Sequence, residues 1–192
     1  MSNIKIKASQ VSNLTDARYF AALGVDYLGF KLDLSHEDRL SEALFHGIKE
    51  WVEGPKIVAE IGKTPLDLIH EVFSAEDYDI LQCASPNISS DQITELTIDN
   101  LDDLNSCLPS EIYLPDFSPF REMDLYAKKD ELKDLCNRFK LILPAPADKK
   151  HLDLLLHDIV PFGIEVKGSM EEKVGFKSFD DLDEFFEMYE NV

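Results

Sequence analysis

Residues 4–32 read IKIKASQVSNLTDARYFAALGVDYLGFKL, and the fold follows from this stretch. Ile4, Ile6 and Ala8 alternate with Lys5, Lys7 and Ser9, the period of two expected of a strand whose faces meet different surroundings. Over residues 13–23 the spacing becomes helical, with Leu14, Ala17 and Ala21 on one face and Gly24 as the stop. Residues 27–32 form a second apolar strand. Strand, helix, strand in so short a span is a βαβ unit, whose right-handed crossover leaves the strands parallel.

The alternation continues along the chain. Leu40, Leu44, Ile48 and Trp51 mark a second helix, and residues 56–61 (KIVAEI) a third strand. Thr64-Pro65 reads as an N-cap and first-turn proline before a helix carrying Leu66, Ile69, Val72 and Phe73. Residues 79–83 are the fourth strand. The following SPNISSDQ is too short and polar for a full helix, so helix four is expected to be shortened or missing. Strand five falls in residues 93–98, a short helix on Leu101, Leu104 and Leu108, and strand six in residues 111–114. Leu132, Leu135 and Phe139 mark another helix before a strand at residues 141–143; Leu152, Leu155, Leu156 and Ile159 mark the next before residues 162–166. The last helix is expected from Ser178, with Asp181 completing a capping-box variant and Phe179, Leu182, Phe185, Phe186 and Tyr189 buried. Eight such strands with helices between them close into a (β/α)₈ TIM barrel, a single domain over residues 1–192. An open doubly wound sheet would carry GxGxxG after its first strand, and none occurs.

Of the 192 residues 44% are hydrophobic and 30% charged, which excludes disordered and fibrous classes. No apolar run approaches the ~18 residues that cross a bilayer, and MSNIKIKASQ lacks a signal-peptide core, so a cytoplasmic location is expected. With 38 acidic against 19 basic side chains the net charge is −19. That sign repels phosphate backbones and anionic lipid, so neither nucleic acid nor membrane is an expected partner. Cys83, Cys107 and Cys136 lack CxxC spacing and read as reduced thiols, and the five histidines lack ligand spacing, so no metal is expected.

In a parallel barrel the functional residues stand at the C-terminal strand ends. These are Lys7 and Ser9, Lys31 and Asp33, Glu60, Gln82, Asp116, and Lys167-Gly168-Ser169. Lys7 and Ser9 have the parity opposite to Ile6 and Ala8, so with the apolar residues against helices they face the barrel axis. A charge there requires a partner or a ligand. Lys7 with Glu60 is the simplest ion pair.

Residues 7–17 (KASQVSNLTDA) and 21–30 (AALGVDYLGF) resemble the opening of the phosphoribosylanthranilate isomerase family: lysine, an apolar residue, Cys-Gly, an Asp-Ala pair, then Gly-Ala-Asp before a Gly-Phe strand. Arg39 before Leu40-Ser41 resembles its loop arginine, Leu81-Gln82 its strand-four Val-Gln, and Tyr113-Leu114-Pro115-Asp116 its aspartate-ending strand six. Gly163-Ile164-Glu165-Val166, then Glu171, Gly175 and Lys177, resemble its terminal pattern. The resemblance implies a (β/α)₈ barrel performing an aldose–ketose (Amadori) isomerisation of a phosphoribosyl amine in tryptophan biosynthesis. It implies a phosphorylated small-molecule substrate, no metal or organic cofactor, and a monomer or homodimer. It places Asp116 as the general acid on the ring oxygen and Ser9 where the family has its cysteine base. Lys7, Arg39, Gln82 and Glu60 become substrate-binding residues, and Lys167, Gly168 and Ser169 phosphate-binding ones.

The chain departs from that pattern at Ser9, since an alkoxide is not reached at neutral pH without a neighbouring base. Leu143-Pro144-Ala145-Pro146 stands where the family has Ala-Gly-Gly-Leu, removing amide donors to phosphate. Gln10 replaces a glycine and Ala84 a histidine. Two alternatives follow: a non-catalytic barrel binding an anionic small molecule, and an enzyme acting on a different phosphosugar through Lys7, Glu60 and Asp116.

Overall fold

Eight parallel strands pair in chain order, and β8 returns to β1, so the sheet closes on itself. They are β1 (Lys5–Val11), β2 (Tyr27–Lys31), β3 (Lys56–Gly62), β4 (Ile80–Cys83), β5 (Gln92–Thr97), β6 (Ile112–Asp116), β7 (Lys140–Pro144) and β8 (Gly163–Lys167). Around them lie α1 (Leu14–Ala22), α2 (Glu42–Lys49), α3 (Leu66–His70), α4 (Lys129–Arg138), α5 (Lys149–Leu154) and α6 (Asp180–Glu190). The computed structural model describes residues 4–37, 39–85, 91–97, 101–108, 111–116, 124–146, 148–167 and 180–190. Among the described residues no helix is long and apolar enough to cross a membrane.

Local signals set the joints. Asn13 caps α1, its side chain accepting from Asp16 N at 2.9 Å, and Gly24 at φ +70° turns the chain toward β2. The expected helix on Leu101, Leu104 and Leu108 is a 3₁₀ turn (Leu101–Ser106) that buries the first two leucines and leaves Leu108 exposed. Residues 84–91 alone join β4 to β5, fewer than the roughly dozen of an ordinary crossover. Helix four is therefore reduced, as its sequence suggests; residues 86–90 lie outside the described residues.

Other details differ from the sequence reading. The buried face of α2 is Phe45 with Ile48, whereas Leu44 and Trp51 are exposed at 47% and 66%. Leu40 precedes the cap residue Ser41 and so does not set the phase of that helix. Thr64 does not cap α3. Its hydroxyl donates to Asp33 Oδ1 at 2.6 Å and accepts from Leu34 N at 3.2 Å, tying the β2 and β3 loops together, and Pro65 takes the cap position. Ser178 and Phe179 lie outside the described residues, while Phe185 and Phe186 are buried and Phe186 packs near Phe20 of α1.

The strand period of two separates two apolar layers. Ile6, Ala8, Leu28, Phe30, Ala59 and Leu81 pack outward in the large core shared with the helices. Tyr27, Val58, Ile80, Ile93 and Ile142 form a separate cluster inside the ring. Further along the same inward positions the chemistry changes: Lys7, Glu60, Gln82 and Glu165 are buried and polar. Gly29 is the inward position of β2 at this change. A Cβ there would lie 2.1 Å from Glu60 Oε1 and 3.1 Å from Lys7 Nζ. Because both groups are held by each other, Gly29→Ala is expected to destabilise the barrel by about 1–3 kcal/mol, read as a lower urea midpoint at unchanged m-value.

Candidate functional site

Strand register brings the polar ends to one rim. Lys7 lies beside Glu165 and Ser9 beside Lys167 across β1 and β8; Glu60 lies between Lys31 and Gln82; Asp116 pairs with Thr97. A cavity of about 630 Å³ opens there, and its wall includes Ser9, Glu60, Gln82, Glu95, Glu165 and Lys167. This is the C-terminal face, where a (β/α)₈ barrel gathers its loops.

A chain of hydrogen bonds runs through its base. Lys7, with no exposed surface, donates from Nζ to Glu60 Oε1 at 2.6 Å and to Ser9 Oγ. Ser9 Oγ in turn donates to Glu165 Oε1 at 2.5 Å. Glu165 also stands 3.8 Å from Lys7 Nζ and, through Oε2, 3.8 Å from Lys167 Nζ. The second oxygen of Glu60 accepts from Gln10 N at 3.2 Å. Gln10 has φ +58°, a left-handed conformation that glycine adopts without cost. The backbone thus makes a glycine-like turn at Gln10, and a register irregularity between Ala8 and Val11 accompanies it.

On the opposite side Gln82 Nε2 donates to Glu95 Oε1 at 2.7 Å. Burial pushes the Glu95 carboxyl above the ordinary range; the Gln82 hydrogen bond and Lys7 oppose this, and the charges of Glu60 and Glu165 reinforce it. At the rim, burial would raise the Asp33 carboxyl, but hydrogen bonds from Thr64 and Ser35 outweigh it and hold Asp33 below its usual value.

Of the residues singled out in the sequence, Ser9, Glu60, Gln82 and Lys167 line the cavity. Lys7 lies beneath it, fully buried against Glu60 and Ser9. Arg39 is exposed beside a smaller depression with Leu34, Glu37 and Ser41, outside the main cavity wall. Asp116 closes β6 at the same rim. Gly168 and Ser169, with Glu171, Gly175 and Lys177, lie outside the described residues. The sequence reading gave no role to Glu165 or Glu95. Both were accessible from parity, since Glu165 sits two residues after Gly163 and Glu95 two after the inward Ile93.

No family model and no curated protein matches the chain. Solved structures do. The chain resembles phosphoribosyl anthranilate isomerase from Thermotoga maritima at 18% identity and a TM-score of 0.74, covering 98% of this chain and all of that one. The Thermus thermophilus enzyme of the same name gives 17% and 0.71 over 98% and 99%, and the Pyrococcus furiosus enzyme 14% and 0.67 over 98% and 100%. At such identity the likeness establishes the barrel architecture over nearly the whole chain.

The Lys7–Glu60 pair carries its own consequence. Lys7→Met leaves Glu60 buried without its cation and is expected to lower stability by about 3–5 kcal/mol. Lys7→Met combined with Glu60→Leu should recover most of that loss in chemical denaturation, because both charges leave together.

Proposed function

We propose that the barrel is an acid–base isomerase of the phosphoribosylanthranilate isomerase type, acting on a phosphorylated sugar amine. The observation that carries this reading is the Ser9 hydrogen bond to Glu165, 2.5 Å long, at the wall of the cavity. A serine alone cannot serve as a base at neutral pH, but here a carboxylate lies next to it. Ser9 receives from Lys7 and donates to Glu165, so it holds that carboxylate in place. Glu165 then takes the proton from C2 of the substrate once the ring has opened. Asp116, at the end of β6, gives its proton to the ring oxygen; the proton taken from C2 is redelivered to C1 while the C2 hydroxyl returns its own proton to Asp116, which gives the ketose and restores both groups. Lys167, half exposed on the same wall, is the cation for a phosphate.

A second reading, a barrel that binds an anion through the Lys167 side chain without turnover, follows from the lack of main-chain donors in the β7 loop to seat a substrate phosphate. Pro144 and Pro146 carry no N–H, and Ala145 N already donates to Glu165 O at 2.8 Å. The amides that residues 144–146 could offer a phosphate are therefore absent or engaged.

Purified protein is expected to convert phosphoribosylanthranilate to its ketose, and Glu165→Gln or Asp116→Asn to reduce kcat by about 10²-fold or more. Unchanged turnover in Glu165→Gln removes the proposed base. If wild type shows no turnover while inorganic phosphate raises its Tm, and Lys167→Ala abolishes that shift, the binding reading replaces the catalytic one.

A further inference from the structure

Gln82 is only 4% exposed and lines the cavity, yet its Oε1 is buried without a hydrogen-bond partner. The amide orientation is fixed by chemistry, because the carboxylate of Glu95 accepts only and must face the NH₂ group. The acceptor is therefore the atom left over, and a buried acceptor without a donor is unfavourable. Beside it stands Glu95, whose Oε1 takes the Gln82 amide. Among the described residues no cationic nitrogen lies within ion-pair distance of Glu95, whereas Glu60 has Lys7, and Glu165 has both Lys7 and Lys167. The charges of Glu60 and Glu165 act on Glu95 in the same direction as its burial, and Lys7 acts against them. Gln82 Oε1 lacks a donor, and Glu95, which already accepts from the Gln82 amide, lacks a neighbouring cation.

We propose that Gln82 and Glu95, at the β4–β5 side of the cavity, form a subsite for a protonated primary amine on a small hydroxylated ligand. An ammonium carries three N–H donors, enough for Gln82 Oε1 and the Glu95 carboxylate together, and supplies the missing positive charge. A hydroxyl satisfies only the first requirement. A carboxylate is repelled. The inference rests on the reading above only in using the same cavity, at the side away from Lys167; phosphoribosylanthranilate, which has a carboxylate and no primary ammonium, does not occupy this subsite.

Calorimetric titration at pH 7 with glucosamine 6-phosphate, glucose 6-phosphate, glucosamine and glucose separates the two claims. The amine is expected to tighten binding about tenfold over the matching hydroxyl in both pairs. Glu95→Gln, which keeps the shape and removes a carboxyl that burial already disfavours, should fold normally by circular dichroism and bring that ratio near one. Lys167→Ala should lower the contrast between phosphorylated and unphosphorylated sugars and leave the amine contrast intact. Equal affinity for amine and hydroxyl in the wild type, an amine preference that survives Glu95→Gln, or no binding of any of the four sugars overturns the subsite. A missing phosphate contrast with the amine contrast present overturns the phosphate assignment and supports the ammonium subsite.

Discussion

A lysine with no exposed surface at the axis of a barrel is the constraint on which the rest of this site depends. Such a charge is tolerated only with a close counter-charge and donors placed for its geometry. Glu60 supplies the counter-charge at 2.6 Å, and Gly29 supplies the room, because any side chain at that position would occupy the carboxylate's place. The remaining direction of the ammonium is filled by Ser9, which passes the hydrogen bond on to Glu165. Four strands, β1, β2, β3 and β8, are thus coupled through one buried cation. The polar half of the barrel is a network with few independent parts.

Much of this was legible in the first residues of the chain. The parity of Lys7 and Ser9 against Ile6 and Ala8 gave their inward direction, and Glu60 followed as the nearest acid at a strand end. Closure followed from the count of strand signals, and the eight paired strands bear it out. Where the reading failed, the cause was a tertiary contact that outranked a local signal. Thr64 has the sequence of a helix cap, but the Asp33 carboxylate offers its hydroxyl a charge-assisted partner from another loop. Leu44 and Trp51 fit a helical spacing counted from Leu40, yet Phe45 buries against Phe30 and Phe73 and fixes the helix phase instead. Glu95 went unnoticed because nothing local distinguishes it from the many surface acids of a chain at net charge −19. Only its register above Ile93 marks it as inward.

The rim also limits the means by which an anion could be held. Backbone amides in glycine-rich loops bind anions through geometry, and they need residues without side chains or rings. Here Pro144 ends β7 and Pro146 follows it, and the one amide between them is tied to the β8 backbone. Gln10 makes a left-handed turn and directs its N–H to Glu60, inward and away from solvent. On the proposed reading an anion is held by side chains such as Lys167, which carries a full charge but a less fixed direction.

The hydrogen bonds of Ser9 limit what its hydroxyl can do. The Ser9 oxygen already accepts from an ammonium and its proton is already given to a carboxylate, so both of its functions are engaged before any substrate arrives. A hydroxyl in that state is a poor base and a good strut. It fixes one oxygen of Glu165, the backbone of β1 fixes the serine, and the second carboxylate oxygen stands 3.8 Å from Lys167 at the cavity wall. On the proposed reading the base is thus displaced by one hydrogen bond from β1 to β8. The cost is that any ligand charge entering the cavity is sensed by Glu165, Lys167 and Lys7 together. On that reading a substrate phosphate near Lys167 would draw that lysine from Glu165 and leave the carboxylate to Ser9 and Lys7, coupling the binding of the anion to the placement of the base.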